Sequence, residues 1–194
     1  LTGRYFHART ETRVFMFLDL NDSTTIAEKL GAEKFSALLN DFFFDMTEPI
    51  LECRGEIYQY VGDEIVLSWR LERAFRDANC VRLFFAIEDA IASNGGRYYE
   101  RYGLIPAFKA GVHLGPVVIS EIGDIRREIV FHGDTMNTTA RILAQCHALR
   151  SSLLVSQEIA QRLPSADFFA VKPIGAVHLK GKENVVAVCG IVRE

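Results

Sequence analysis

The spacing of hydrophobic and polar positions changes along the chain and separates candidate strands from candidate helices. The apolar runs 14–20, 57–61 and 64–69 are short and rich in β-branched and aromatic side chains, which predicts buried strands. After a capping-box pair at Thr25 and Glu28, apolar side chains recur at helical spacing and predict one long helix. The first third of the chain therefore predicts a strand, a helix and a hairpin.

The rest of the chain continues this alternation of helical and strand periods. Pro49 is expected to kink or end the first long helix, because proline lacks a backbone N–H, and Gly95-Gly96 is expected to end the second. The further predicted elements are, in chain order, a helix at 73–93, a strand pair at 108–112 and 117–122, a strand at 128–131, a helix at 135–148, and strands at 153–156, 171–179 and 185–192.

This mixture of hairpins and strand–helix alternation predicts an α+β fold with a mainly antiparallel sheet and helices on one face. The order β-α-α-β-β-α-β matches a ferredoxin-like sandwich core. Since the sequence has no repeat or low-complexity stretch, we expect a single domain over residues 1–194, with 1–12 as an N-terminal lead-in.

Composition narrows the class of protein. The 194 residues are 49% hydrophobic and carry a net charge of −3, which gives no basic footprint for nucleic acid. Four scattered cysteines without metal-ligand spacing predict reduced, buried thiols, and we expect a cytoplasmic location. No apolar run is long enough for a membrane span. Because the sequence begins with Leu1, an upstream membrane or sensor region outside this chain is a further expectation.

Two aspartates stand where a metal site is expected. Asp19 interrupts the end of an apolar strand, and Asp63 lies in the turn of the predicted hairpin. Carboxylates presented from adjacent strand ends suit Mg²⁺ or Mn²⁺, which take oxygen ligands and bind substrate phosphates. A helix cap at Asp19 and ordinary turn chemistry at Asp63 are the alternatives.

Further polar residues recur near predicted strand ends and on one helix. Asn137 and Arg141 are four residues apart and so share a helix face. Lys180 stands in a Lys-Gly-Lys turn that could hold a triphosphate. Lys109 lies within an apolar strand, so it should either reach solvent or meet an anion.

Taken together and in this order, these segments resemble the catalytic domain of class III adenylate and guanylate cyclases. The resemblance extends over about 14–192 and is carried by the motifs FLDLNDST, YVGDE, FKAGVHLGPV, HGDTMNTTARI and HLKGK. It implies an enzyme that converts a nucleoside triphosphate into a 3′,5′-cyclic nucleotide and pyrophosphate with two divalent metal ions, Mg²⁺ or Mn²⁺.

The resemblance also assigns roles to residues. Asp19 and Asp63 would bind both metals, with help from the Leu20 carbonyl. The residues that would contact the triphosphate are Asn21, Asp22, Ser23, Thr24, Lys109 and Lys180. Asn137 would position the ribose and Arg141 would stabilise the transition state. Sites in this family form between two subunits, so a homodimer with shared active sites is implied.

Base choice is where the sequence departs from the family pattern. The two base-reading positions are Gln59 and Val130 here, whereas adenylate cyclases usually have Lys and Asp and guanylate cyclases have Glu and Cys. Gln can donate and accept hydrogen bonds, but Val can do neither. Tyr58 and Tyr60 could narrow the pocket, although strand alternation points both away from Gln59, so at least one is expected in the core or an interface.

These departures favour a pyrimidine substrate, UTP or CTP, as in bacterial relatives that act in antiviral signalling. One alternative is an adenylate cyclase, from ATP to cyclic AMP, with a non-standard base pocket. Another is a degenerate, non-catalytic dimerisation or nucleotide-sensing module. A diguanylate cyclase would need a GGDEF-like turn, and the turn here reads VGDEI.

Overall fold

The computed structural model describes residues 8–123, 128–178 and 185–194. In these residues the strands form one open sheet in the order β2-β3-β1-β4-β6-β8-β7, with β5 paired to β4. The strands are β1 (Arg9–Leu20), β2 (Glu56–Val61), β3 (Glu64–Arg70), β4 (Phe108–Ile122), β5 (Glu128–His132), β6 (Leu153–Ser156), β7 (Phe169–His178) and β8 (Val185–Arg193).

Helices connect these strands. They are α1 (Ser23–Leu30), α2 (Ala32–Asp45), α3 (Thr47–Glu52), α4 (Leu71–Phe75), α5 (Asn79–Ser93), α6 (Gly95–Tyr102), α7 (Asp134–Ala144) and α8 (Gln157–Ala160), with a short 3-10 turn at Arg76–Ala78. β4 and β6 pair in parallel, and the other pairs are antiparallel. The predicted α+β class with a mainly antiparallel sheet is therefore confirmed.

The sheet is covered on both faces, which corrects the expectation of helices on one face only. Met16 and Leu18 of β1 pack with α2 and α5 in the larger core, whereas Phe15 and Phe17 pack with α7 in a second core. Successive side chains of a strand point to opposite faces. Because β1 is apolar on both sides, its side chains pack in both cores. We call the face of the sheet that α7 covers the α7 face.

The first predicted helix is three helices in the structure. α1 begins at Ser23, with Asp22 as N-cap in the left-handed region, so the capping box predicted at Thr25 is not used. Gly31 separates α1 from α2, and Met46 separates α2 from α3. The second break is a proline effect, because the ring of Pro49 would clash with the carbonyl four residues earlier in a continuous helix.

Three other boundaries differ from the prediction. β1 begins at Arg9 rather than at position 14, so the expected lead-in 1–12 overlaps the strand. Gly95 begins α6 instead of closing the preceding helix. The predicted hairpin at 108–122 is the single strand β4, because β1 pairs with it along its length, with Thr12 opposite Pro116. Gly115 and Pro116 thus lie inside a strand.

Candidate active site

The carboxylate of Asp19 lies near the end of β1, in the middle of the sheet. Its backbone pairs with Glu64 of β3 on one side and with Lys109 of β4 on the other. Alternation along β1 places it on the α7 face, with Phe15 and Phe17. Lys109 Nζ donates to Asp19 Oδ2 over 2.9 Å, so the cation predicted within this strand does meet an anion.

Asp63 reaches the same place from a tight turn. Val61 pairs with Glu64, so Gly62 and Asp63 form a two-residue loop between β2 and β3. Gly62 has φ +63°, the conformation that the first central residue of a type II′ hairpin turn requires. Hydrogen bonding between Asp63 and Asp19 contributes to the pKa of Asp19. The two aspartates that the sequence singled out are therefore neighbours.

The electrostatics of this cluster favour a cation. Burial, and then the hydrogen bond with Asp63, raise the pKa of Asp19, while Lys109 lowers it. Burial and the charges of Asp19 and Asp63 raise the pKa of Glu64 to about 7. Three carboxyl groups thus crowd around one ammonium group, and their repulsion disfavours ionisation. A divalent cation would offset that repulsion.

The donor set fits magnesium or manganese. These ions are commonly bound through one or two carboxylates together with substrate phosphates. No group of three His, Cys, Asp or Glu side chains in the described ranges could hold a metal by itself. The Asp19–Asp63 pair therefore suits an ion that a bound triphosphate helps to coordinate, rather than a permanent structural metal.

A depression of about 580 Å³ adjoins this cluster. It is lined by three predicted triphosphate residues, Asn21, Asp22 and Lys109. Ser23 and Thr24 follow in the first turn of α1, where free backbone N–H groups favour anions. The predicted contact Lys180 lies outside the described residues.

Sequence reasoning missed the other residues that line this depression. They are Cys146, His147, Arg150, Ser151 and Ser152. Arg150 has φ +50°, an uncommon conformation for a residue other than glycine, asparagine or aspartate. In the sequence, Arg150 could be recognised only as a basic residue in the loop after the Asn/Arg helix. The structure places that cation in the same depression as Lys109.

Asn137 and Arg141 lie on α7, which rests directly on the sheet. A Cβ atom at Gly111 would approach the backbone nitrogen of Leu143 to 2.5 Å, so only glycine permits this contact. The helix turns Thr138, Thr139 and Ile142 toward the sheet. Asn137 is exposed and Arg141 is partly buried.

Asn137 and Arg141 do not contact the aspartate pair through hydrogen bonds or ion pairs in the part of the chain that the structure describes. The sequence prediction that they serve the aspartates of a second subunit therefore stays a prediction.

Replacing Gly111 with alanine should destabilise the fold by about 2 kcal/mol or more, because overpacking must push α7 off β4. Turnover should fall as well, since α7 carries Arg141. Gly96→Ala is the matched control: it adds a Cβ atom where nothing lies within 4 Å and should raise stability by up to about 1 kcal/mol. Chemical denaturation measures both. Equal effects would contradict the close contact at Gly111.

The two predicted base-reading positions line one pocket. Gln59 of β2 and Val130 of β5 both border a cavity of about 620 Å³, together with Tyr58 and Phe131. The Tyr58 and Phe131 rings make an edge contact with centroids 4.9 Å apart. The structure thus brings together two positions that are 71 residues apart in the sequence.

A β-bulge changes the expected direction of one tyrosine. Ile57 pairs with Leu67 but Gln59 pairs with Val66, so Tyr58 is the extra residue on β2. Tyr58 consequently packs in the second core, on the same α7 face as Val66, rather than pointing away from Gln59. Tyr60 does point away, and its ring packs 4.7 Å from that of Phe43 on α2.

The Asp19–Asp63 pair, the depression beside it and the separate Asn/Arg helix agree with the arrangement expected of a nucleotidyl cyclase. The model of the family described as "Adenylate and Guanylate cyclase catalytic domain" matches residues 7–189. The chain belongs to this family.

Proteins similar to the chain include two curated adenylate cyclases and a solved adenylyl cyclase structure. It is 37% identical to Adenylate cyclase 2 of Rhizobium meliloti over 98% of its own length and 53% of the relative's. It is 27% identical to Adenylate cyclase 1 of the same organism, over 92% of the chain and 27% of that protein. The crystal structure of the adenylyl cyclase CyaB from P. aeruginosa matches with a TM-score of 0.84 at 20% identity, covering 97% of each chain.

The chain thus spans about half or less of the length of these two curated relatives. Within the described ranges, no helix has both the length and the apolar character needed to cross a membrane.

Proposed function

We propose that this chain converts ATP into cyclic AMP and pyrophosphate, as a homodimer with two divalent metal ions per site. The observation that carries the proposal is the Asp19–Asp63 pair, placed next to a depression that already holds Lys109. In the reaction, the ribose 3′-oxygen forms a bond to the α-phosphorus. The bond from that phosphorus to the pyrophosphate oxygen breaks, and the hydroxyl proton passes to water.

Asp19 and Asp63 would hold the metals, with the Leu20 carbonyl as a further oxygen ligand. Bound metal ions would lower the pKa of the 3′-hydroxyl and neutralise charge on the phosphates. Lys109 already neutralises part of the Asp19 charge. Lys109 would also bind the triphosphate, together with residues of the neighbouring loop and helix start: Asn21, Asp22, Ser23 and Thr24. Lys180, which lies outside the described residues, would be a further triphosphate contact.

Asn137 would position the ribose, and Arg141 would stabilise the charge that develops at the α-phosphorus. Their lack of partners among the described residues supports a role toward a second subunit. In a twofold dimer each chain would lend its aspartates to one site and its Asn137 and Arg141 to the other. Each dimer would hold two equivalent sites.

ATP is proposed because the curated relatives reported above are adenylate cyclases. They favour the adenylate alternative over the pyrimidine hypothesis, and they lend no support to an antiviral role. Gln59 and Val130 still differ from the usual adenylate pair, so the base pocket must read adenine in another way.

Incubation with each of the four nucleoside triphosphates and Mn²⁺ or Mg²⁺ tests the proposal. Cyclic AMP and pyrophosphate in equal amounts are expected as the dominant products. A dominant cyclic UMP or cyclic CMP product would restore the pyrimidine hypothesis. Binding of triphosphate without any product, with both metals tried, would support the non-catalytic module.

Arg150→Gly should raise the KM for ATP about 10-fold, because a charged contact to phosphate is lost. The unfolding midpoint should stay the same or rise slightly, since glycine adopts φ +50° without strain. Arg54 also has a positive φ, of +55°, and lies after α3 outside the depression, so Arg54→Gly should leave KM unchanged. Steady-state kinetics and thermal unfolding of both variants check this. An unchanged KM in Arg150→Gly would remove Arg150 from the triphosphate site.

A further inference from the structure

The pocket that holds Gln59 and Val130 also contains polar groups to which the family resemblance assigns no role. Glu56 of the edge strand β2 and Ser68 of the neighbouring strand β3 line it. Their backbones are directly paired across these strands. Val130 has no hydrogen-bonding group, so the pocket must draw its polar contacts to a base from other residues.

Arg13 of β1 contacts both Glu56 and Ser68. Its side chain is only 4% exposed, and it donates to Ser68 Oγ over 3.0 Å and pairs with Glu56. It also binds Glu11 Oε1 at 3.3 Å, and its guanidinium lies 5.3 Å from the centre of the Phe131 ring. A buried arginine with this many partners is fixed in position.

Glu56 is consequently a fixed acceptor at the pocket wall. Arg13 takes one carboxylate oxygen, and Arg73 takes the other over 3.3 Å. The side chain is still 44% exposed, so each oxygen can accept a further hydrogen bond.

We propose that Glu56, positioned by Arg13, accepts a hydrogen bond from the 6-amino group of adenine and so favours ATP over UTP, GTP and inosine triphosphate in this pocket. Gln59 can donate to the adjacent N1 of the same base, since its amide offers both a donor and an acceptor. Uracil and hypoxanthine present a carbonyl oxygen where adenine has the amino group, and a carboxylate repels it. This inference rests on the proposed function and names the device that replaces the missing base-reading aspartate.

The test compares ATP with purine riboside triphosphate, which lacks only the 6-amino group. The unaltered protein should favour ATP about 10- to 100-fold in kcat/KM, the range expected for a hydrogen bond to a charged group. In Glu56→Gln the preference should fall to within about threefold of unity. The Gln variant should also accept inosine triphosphate better than the unaltered protein does, because its amide can donate to the 6-oxygen.

Glu11→Gln is the matched control. Glu11 pairs with Arg13 as Glu56 does but does not line the pocket, so this variant should keep the preference for ATP. A preserved preference in Glu56→Gln, or its equal loss in both variants, would overturn the proposal. If Glu56→Gln does not fold, Glu56→Asp keeps the charge, shortens the reach and should lose most of the preference.

Failure of the Glu56 contact can be distinguished from failure of the proposed cyclase activity. If the unaltered protein forms no cyclic nucleotide from any triphosphate, the proposed activity fails. Calorimetric binding of ATP and of purine riboside triphosphate then decides the base contact by itself. A binding preference for ATP that is lost in Glu56→Gln supports the contact, and equal binding of the two ligands overturns it.

Discussion

Asp63→Asn should reduce metal-dependent turnover on the order of 10³-fold or more, while the protein stays folded. The amide keeps the size of the side chain and the shape of the Gly62 turn, but it removes the negative charge that a divalent cation requires. Asp19→Asn should behave in the same way and should also leave Lys109 without its ion-pair partner. Product formation with Mg²⁺ and with Mn²⁺ measures the loss.

Metal binding gives an independent readout of the same change. Calorimetric titration of Mn²⁺ in the presence of a non-reactive triphosphate analogue should show weaker binding in both variants. Asp167→Asn changes an exposed aspartate outside the site and should affect neither turnover nor metal binding. Normal activity in Asp63→Asn would refute the assignment of the metal pair.

Arg141→Ala should lower kcat on the order of 10²-fold or more and change KM little, because the guanidinium is expected to act on charge that develops only in the transition state. Arg141 makes no hydrogen bond or ion pair with the residues that the structure describes, so the fold should tolerate the change. Arg162→Ala removes an exposed arginine after α8 and should leave both constants unchanged. A rise in KM that matches the whole loss in kcat/KM would place Arg141 in ground-state binding instead.

The sequence predicted which residues form this site better than it predicted where their side chains point. Asp19 and Asp63 could be predicted as neighbours, because a strand end and a hairpin turn are local features that the pattern of apolar residues reveals. The direction of Tyr58 could not, since the bulge on β2 inserts one residue and turns its ring to the α7 face. A single extra residue reverses a prediction that depends on strict alternation.

Long-range contacts account for the other differences. Gly115 and Pro116 suggest a turn by composition, but pairing with the start of β1 keeps β4 extended through both residues. Arg13, Glu56 and Ser68 come from three strands and meet only in the folded sheet. Their spacing in the sequence carries no signal of that meeting, which is why this cluster escaped the sequence analysis.

The central claim is that two chains complete each active site, and mixing two inactive variants tests it most directly. Asp63→Asn keeps Arg141, and Arg141→Ala keeps Asp63, so a mixed dimer would contain one site with both residues intact. With random exchange of subunits in an equal mixture, about a quarter of the unaltered activity should return, because half of the dimers are mixed and each has one working site of two. No recovery, with subunit exchange confirmed by differently tagged chains, would contradict the shared site.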